Sequence, residues 1–353
     1  MSGRADSLPL PPRRHHAVNT AAAAVLGFLL LAAVAVFACW LVGTRGPDVG
    51  TDTHTYAGFF EGLGRSSIET RLEPGFTYLS YALWKLGVGV VGYQTALFAT
   101  MLATVVVATR RYHAFLGEGT GYLTFLGTAL MLLFVSPMFV NATINAVRQG
   151  LAALLVFTAL LSFRERRWWS FAAYGLLASS LHMSSLLYLA FAPLLLFGVR
   201  MQRLVAAAAF ALYVTGLSMV LVRGFVPALY ELVMSYTANS YYRSGVRTDF
   251  AVFSIFWYAL PYMLMPLVRG EFREKIREST GVYLVMLLPF FAIGWGFFSN
   301  RYLLPGWLAV SLILAAVVCH SRLRMLRHPL LLRIGLLASC AVFYFYVTHE
   351  IVI

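Results

Sequence analysis

The sequence predicts an all-α fold, a polytopic integral membrane helical bundle of about 10–12 transmembrane or re-entrant helices. Three observations carry this. Of 353 residues, 60% are hydrophobic and only 12% charged, whereas soluble domains carry roughly 25% charged residues. Several apolar runs reach the ~20 residues that a helix needs to cross ~30 Å of hydrocarbon. The basic residues fall in short clusters between those runs: "RRHH", "RRYH", "RERRWW", "RMQR", "REFREKIR" and "RLRMLRH".

Hydropathy places the helical segments, in order, at 18–42, 76–90, 93–109, 120–140, 147–163, 170–198, 204–222, 251–268, 280–298, 301–319 and 329–347. The first follows a basic tail, residues 1–17, and exceeds the 7–15 apolar residues of a signal-peptide core, so it reads as an uncleaved span. No repeat stands out, and 18–353 reads as one transmembrane domain. The three cysteines, Cys39, Cys319 and Cys340, lie inside apolar segments without metal-ligand spacing, so packing is their expected role.

The net charge of +13 could suggest nucleic acid, but only Lys85 and Lys275 are lysines. Arginine clusters between spans are what the positive-inside rule puts in cytoplasmic loops. The expected surroundings are the lipid bilayer, with no nucleic-acid partner. Placing the six clusters inside, with a cytoplasmic N-terminus, leaves 44–75, 141–147, 223–250 and 299–301 outside. The inside then holds 18 basic and 6 acidic residues, the outside 9 and 8. That assignment makes two demands. Segment 76–90 must be short or re-entrant. Segment 170–198 must leave and return to the inside, as a broken helix or hairpin with His182 near its turn. Irregular backbone at membrane depth survives only where protein buries it or a wet cavity bathes it, so both oddities point to a site.

Polar residues off the inner loops gather on the outer side. In the first outer loop, Asp52, Tyr56 and the Phe59–Phe60 pair are spaced like one helical face. Glu73 directly precedes Pro74, where a carboxylate caps a helix. It is read either as a cap alone or as a cap that also faces substrate. Asn145, Arg148 and Gln149 follow i, i+3, i+4 spacing. Arg148 at the hydrocarbon edge costs several kcal/mol unless paired or wet. It is either an anion clamp, for which guanidinium is suited, or a snorkelling or ion-paired structural residue. His182, between serine pairs, is either hydrogen-bonded to a neighbouring hydroxyl or a proton carrier. Tyr236, Tyr241 and Tyr242, with Arg243 and Arg247, could stack on sugar rings and hold an anion, or belong to an interfacial aromatic belt. Arg301 opens a further apolar segment on the outer side, as Arg148 does. Two outer arginines, nearby carboxylates and aromatics suggest a site for an anionic, lipid-linked ligand with a polar head. The sequence holds no metal signature of the D-x-D or H-E-x-x-H kind, no glycine-rich phosphate loop and no G-x-S-x-G.

In these residues the chain resembles the EpsG family, Wzy-like membrane polymerases and transferases of exopolysaccharide, capsule and O-antigen assembly. The resemblance lies in an ordered series over roughly residues 45 to 305. It comprises "DTHTYAGFF", "EPGFTYLSYALWKLG", "NAVRQGLAALL", "ASSLHMSSLLYLAFAP", "SYYRSG" and "NRYLLP". It implies a GT-C-like helical fold in a bacterial inner membrane, with the active site on the periplasmic face. It also implies undecaprenyl-diphosphate-linked oligosaccharides as donor and acceptor, and a chain-length regulator and export machinery as further partners. By the same resemblance Arg148, then Arg301, stabilise the departing diphosphate without a metal or other cofactor. Glu73, Asp52 and His182, in that order, are the candidate bases. Gln149, Asn145, Tyr56, Tyr241, Tyr242 and Arg243 complete the substrate-binding set. The competing readings are a flippase or transporter of lipid-linked glycan, a membrane O-acyltransferase, and an O-antigen ligase using the same donor. The first usually shows two related halves, and none are found. The second needs a His–Arg pair near the first spans, which is lacking.

Overall fold

In a computed structural model, residues 14–64, 72–117, 119–235 and 244–349 are described, and every regular element among them is helical. The helices are α1 (Arg14–Gly43), α2 (Thr53–Gly62), α3 (Pro74–Lys85), α4 (Val90–Leu116), α5 (Tyr122–Phe134), α6 (Pro137–Ile144), α7 (Val147–Arg164) and α8 (Trp168–Leu181). They continue as α9 (Ser185–Ala190), α10 (Val199–Val214), α11 (Leu217–Phe225), α12 (Pro227–Met234), α13 (Thr248–Leu264), α14 (Gly270–Ile293), α15 (Leu304–Cys319) and α16 (Pro329–Thr348). Three 3-10 turns, at Ala192–Leu196, Met265–Leu267 and Ser299–Leu303, link neighbouring helices.

Seven helical stretches among the described residues are long and apolar enough to cross a membrane, and nine if two bent pairs each count as one span. The protein is a multi-pass membrane bundle. The bends have local causes. At α5–α6 the chain turns by 83° where Ser136, extended at φ −89° and ψ 114°, precedes Pro137, because proline disfavours helical backbone in the residue before it. At α10–α11 it turns by 89° at Gly216, whose φ of +74° is in the left-handed region that glycine enters without penalty.

Burial separates a core from a lipid-facing rim. In α7, 89% of the spanning window is buried inside the protein, and in α14 and α15 83%, against 22–28% for α1, α13 and α16. Buried Leu, Val and Phe run around every side of α7, the pattern of a helix enclosed by its neighbours. All eleven predicted apolar segments coincide with helices, but hydropathy sees only their lipid-level parts. Helix α14 begins ten residues before the predicted start, through the charged stretch "GEFREKIRES". Helix α4 likewise continues through Arg110 and Arg111 to Leu116.

The two anomalous segments are short or broken. Helix α3 has 12 residues, about 18 Å at 1.5 Å per residue, too short to cross. Predicted segment 170–198 is interrupted at His182, extended at φ −157° and ψ 116°, and resumes as α9 and a 3-10 turn. Both ends of this hairpin meet the C-terminal end of α7. Trp168 packs edge-on against Phe163 at 5.0 Å, and Arg164 donates to the Leu195 carbonyl at 2.7 Å. Its tip reaches the other end of α7. The segment therefore leaves and returns to one end of the bundle.

Candidate active site

The residues that hold the hairpin tip come from the starts of α3 and α7. Glu73 precedes Pro74 and is extended at φ −61° and ψ 143°, again as a residue before proline must be. Its backbone carbonyl accepts from Thr77 N–H at 3.0 Å, but its side chain makes no capping bond to α3. The carboxylate turns across to the break in the hairpin instead. Oε1 accepts from His182 Nδ1 at 2.8 Å and from the Met183 backbone N–H at 3.1 Å. Oε2 accepts from Arg148 Nη1. Glu73 is thus a cap, but for the broken hairpin and not for its own helix. His182 bonds this carboxylate and not a serine hydroxyl.

Gly75 makes the approach possible. A Cβ there would lie against the Ser180 side chain and 2.8–2.9 Å from the Ser180 carbonyl group, so α3 and the end of α8 meet backbone to backbone. Aromatic packing fixes the other flank. Tyr56 meets Phe76 edge-on at 5.7 Å, Phe59 stacks on Phe76 at 6.2 Å, and Phe60 stacks on Tyr93 at 4.1 Å. Tyr56, Phe59 and Phe60 on α2 thus share one face, as their spacing predicts, with Asp52 at its N-cap.

Electrostatics at Glu73 is one-sided. Burial raises its pKa, but the hydrogen bond from His182, its own backbone N–H and the Arg148 charge outweigh burial and bring it to about 2. An ionised carboxylate only accepts hydrogen bonds, so His182 must carry its proton on Nδ1. Nε2 then has no hydrogen-bond partner among the described residues. Arg148 is ion-paired, as one of its two readings had it, and its buried Nε lacks a partner among the described residues. Tyr56 lies close enough to Arg148 to feel its charge. Burial raises the Tyr56 hydroxyl pKa, and that guanidinium opposes the rise.

A second, looser pair stands beside the first. Arg301, in the 3-10 turn leading into α15, places Nη2 3.8 Å from Asp52 Oδ2. Its side chain is 40% exposed, and its guanidinium stacks over Phe298 at 4.4 Å. Burial raises the Asp52 carboxyl above its ordinary value, and the charges of Arg301 and Arg148 oppose that rise. Both arginines therefore act on Asp52. Gln149 is tied to the same turn, donating to the Arg301 backbone carbonyl.

Asn145 departs from the expected helix face. The helix is interrupted between α6 and α7, with Ala146 at φ −95° and ψ 45°. Asn145 caps the end of α6, donating from Nδ2 to Asn141 Oδ1 at 2.9 Å. Its buried Oδ1 has no partner among the described residues and lies beside Gly50. Gly50 needs to be glycine on two counts, a φ of +93° and contact distance to Asn145 Oδ1 of 2.7 Å from a Cβ. Tyr236, Tyr241, Tyr242 and Arg243 lie outside the described residues.

Sequence reasoning missed the Met183 amide, Gly75 and Tyr188. The Tyr188 hydroxyl donates to the Tyr302 carbonyl at 3.1 Å, pinning the returning arm of the hairpin to the Arg301 turn. Tyr188 sits in the quoted hairpin motif, and a hydroxyl-bearing ring inside an otherwise apolar run was the available signal. No group of three His, Cys, Asp or Glu among the described residues is arranged to hold a metal ion.

The ordered residues fit a known pattern. The model of the EpsG family matches residues 28–352, nearly the whole chain. The chain belongs to the EpsG family. The match takes in all the residues of this site, from Asp52 to Arg301. Comparison with curated proteins and with solved structures returns no match. Family membership supports a polysaccharide-polymerase-like role in general terms and a glycosyltransferase kind of enzyme.

Proposed function

We propose that this EpsG-family protein is a glycosyltransferase that joins undecaprenyl-diphosphate-linked oligosaccharide units during bacterial exopolysaccharide, capsule or O-antigen assembly. It would work at the outer face of the inner membrane. The observation that supports the reading most is the convergence of Glu73, Arg148 and His182 at the tip of a hairpin broken inside a membrane bundle. Arg301 and Asp52 stand alongside. A charged cluster in such a setting is retained for function by default.

The chemistry follows from the parts. Attack of a sugar hydroxyl on the anomeric carbon breaks the bond to the lipid diphosphate, whose leaving oxygens gain negative charge. Preorganised cations aimed at developing charge are usually the largest catalytic contribution. Arg148 is held in place by Glu73, and Arg301 keeps most of its fork free to meet phosphate oxygens. The attacking hydroxyl loses its proton to a base. A Glu73 carboxyl with a pKa of about 2 is a weak acceptor, so His182 Nε2 takes that role in our reading. Glu73 then orients the ring through Nδ1–H, as the carboxylate of a Ser-His-Asp triad does. Asp52 holds Arg301, and Tyr56, Gln149 and Asn145 shape the sugar and phosphate pocket. The enzyme works without a divalent ion in this scheme, because arginine supplies the positive charge.

The deciding experiment is a glycan ladder from a deletion strain complemented with wild type or Arg148→Ala. Single-repeat product in the deletion and in Arg148→Ala, at equal protein level, supports the assignment. Unchanged chain length in Arg148→Ala refutes the diphosphate role.

A further inference from the structure

Far from this site, four arginines surround a depression that the proposed reaction does not use. Arg203, Arg273, Arg277 and Arg322 line it together with Tyr262, Met265 and Pro266, around a volume of about 620 Å³. The depression lies at the opposite end of the bundle. Helix α15 starts just after Arg301 and ends three residues before Arg322. Its 16 residues span about 24 Å. In the same way α7 starts at the Arg148 end and finishes at Arg164, whose Nη2 is 3.6 Å from Glu278 Oε1 beside Arg277 on α14.

The side chains of Arg273 and Arg203 are held by neighbouring groups, and the cluster is weakly neutralised. Arg273 is fixed by donating to two backbone carbonyls, Val268 at 3.0 Å and Pro266 at 3.1 Å. Arg203 donates from Nε to the Tyr258 hydroxyl at 2.9 Å and stacks over Tyr262 at 4.5 Å. The Arg322 backbone N–H is locked to the Leu267 carbonyl at 2.6 Å. Among the described residues no carboxylate pairs with Arg203, Arg273 or Arg322, and only Arg277 has one, Glu274 at 2.8 Å. Arginines at span ends are common as topology signals. Arg324 and Arg327 are of that kind and lie outside the depression. Four arginines lining one hollow is different, since like charges gathered there repel unless an anion offsets them.

We infer that this hollow is a second, non-catalytic anion site, which binds a phosphate group carried on a membrane lipid. Phosphate oxygens match guanidinium forks held at several angles. A lipid is favoured as the carrier because the hollow abuts α13, a rim helix whose outward side is apolar, with Val252 60%, Phe256 50% and Met263 70% exposed. A headgroup among the arginines leaves its chains along that surface. The inference is independent of the proposed reaction.

The test uses the full-length protein, delipidated in neutral detergent and followed by native mass spectrometry. The probes are phosphatidylglycerol, phosphatidylcholine and inorganic phosphate. The proteins are wild type, R322Q, R203Q/R322Q and R324Q. Phosphatidylglycerol should bind wild type at least about tenfold more tightly than it binds R203Q/R322Q, a difference of about 1.4 kcal/mol or more. R322Q, which alters a side chain without internal partners among the described residues, should fall between them and keeps the test valid if the double variant misfolds. R324Q should bind as wild type does, and phosphatidylcholine only weakly. Equal binding to wild type and R322Q, or an equal loss in R324Q, overturns the site. Inorganic phosphate binding as tightly as phosphatidylglycerol overturns the lipid carrier and leaves a soluble phosphate compound as the ligand.

Discussion

Glu73 Oε1 and His182 Nδ1 are 2.8 Å apart across 109 residues of sequence. The same carboxylate oxygen accepts the Met183 amide, and its twin meets Arg148. One side chain therefore joins the start of α3, the start of α7 and the break in the hairpin. Its geometry ties a structural duty, holding an unwound tip, to the proposed chemical one, orienting a base and a cation.

The two duties separate in variants. Glu73→Gln keeps the shape but removes the charge, leaving Arg148 without its partner. Losing one member of a buried ion pair costs about 3–5 kcal/mol. His182→Gln leaves Glu73 paired with Arg148 and should cost no more than about 1–2 kcal/mol. Both should lower polymerisation by about 10²–10⁴-fold, the range of a lost general base. Thermal unfolding of the purified proteins alongside the glycan ladder checks this. An active His182→Gln would remove the base from the scheme.

Acid stability should carry the signature of Glu73. Its folded pKa of about 2 lies below the ordinary value of 4.5, so the ionised form is favoured by folding. The sign follows: the contribution is complete above about pH 4.5, declines below it, and is gone once pH has fallen through about 2. Melting temperature against pH should therefore be level from pH 5 to pH 7 as far as this group is concerned, then drop in acid. In Glu73→Gln the acid-side drop should be smaller, and an identical profile would contradict the ion-pair geometry.

The Arg301–Asp52 pair predicts the reverse balance of effects. At 3.8 Å, with the arginine 40% and the aspartate 31% exposed, it should contribute only about 0–1 kcal/mol. Arg301→Gln should thus melt close to wild type while polymerisation falls by about 10²-fold or more, the low end for losing a charge-stabilising donor. Membranes treated with a chelator should retain wild-type activity while Arg301→Gln membranes stay impaired. If chelation abolishes wild-type activity, arginine does not replace the metal.

How much of this was legible beforehand depended on distance along the chain. Apolar runs report directly on lipid-level helices, so the segments and the break at His182 could be read from hydropathy and charge placement. The charged first turns of α14 could not, because they extend beyond the apolar window. The bends at Ser136 and Gly216 have local signals, a proline and a left-handed glycine, which long apolar runs mask. Asp52, Glu73, Arg148, His182 and Arg301 were each visible as polar residues out of place. Their pairing was not, since nothing local says that a carboxylate before Pro74 will ignore its own helix. The shared helix face of Asn145, Arg148 and Gln149 was misread because i, i+3, i+4 spacing assumes an unbroken helix. The chain breaks at Ala146, where Gly150 packs against the Ala142 carbonyl.

Gly75 offers the sharpest test of whether the approach of α3 to α8 makes the site. A Cβ at this position would press on the Ser180 backbone at 2.8–2.9 Å as well as on its side chain. Rotating the serine cannot relieve that, so the helices must separate by several tenths of an ångström. Overpacking of this kind costs about 1–3 kcal/mol for Gly75→Ala and more for Gly75→Val. The displacement acts on Glu73, two residues away, and so on its bonds to His182 and Met183. Gly75→Ala should lose activity out of proportion to its stability, because a displacement near 1 Å can cost about 10²-fold in rate. Ser180→Gly should not rescue it, since the obstructing atoms are backbone. The comparison to make is glycan ladder against melting temperature for Gly75→Ala, Ser180→Gly and the double variant. A fully active Gly75→Ala, or rescue by Ser180→Gly, would mean that the helices are not held at this distance.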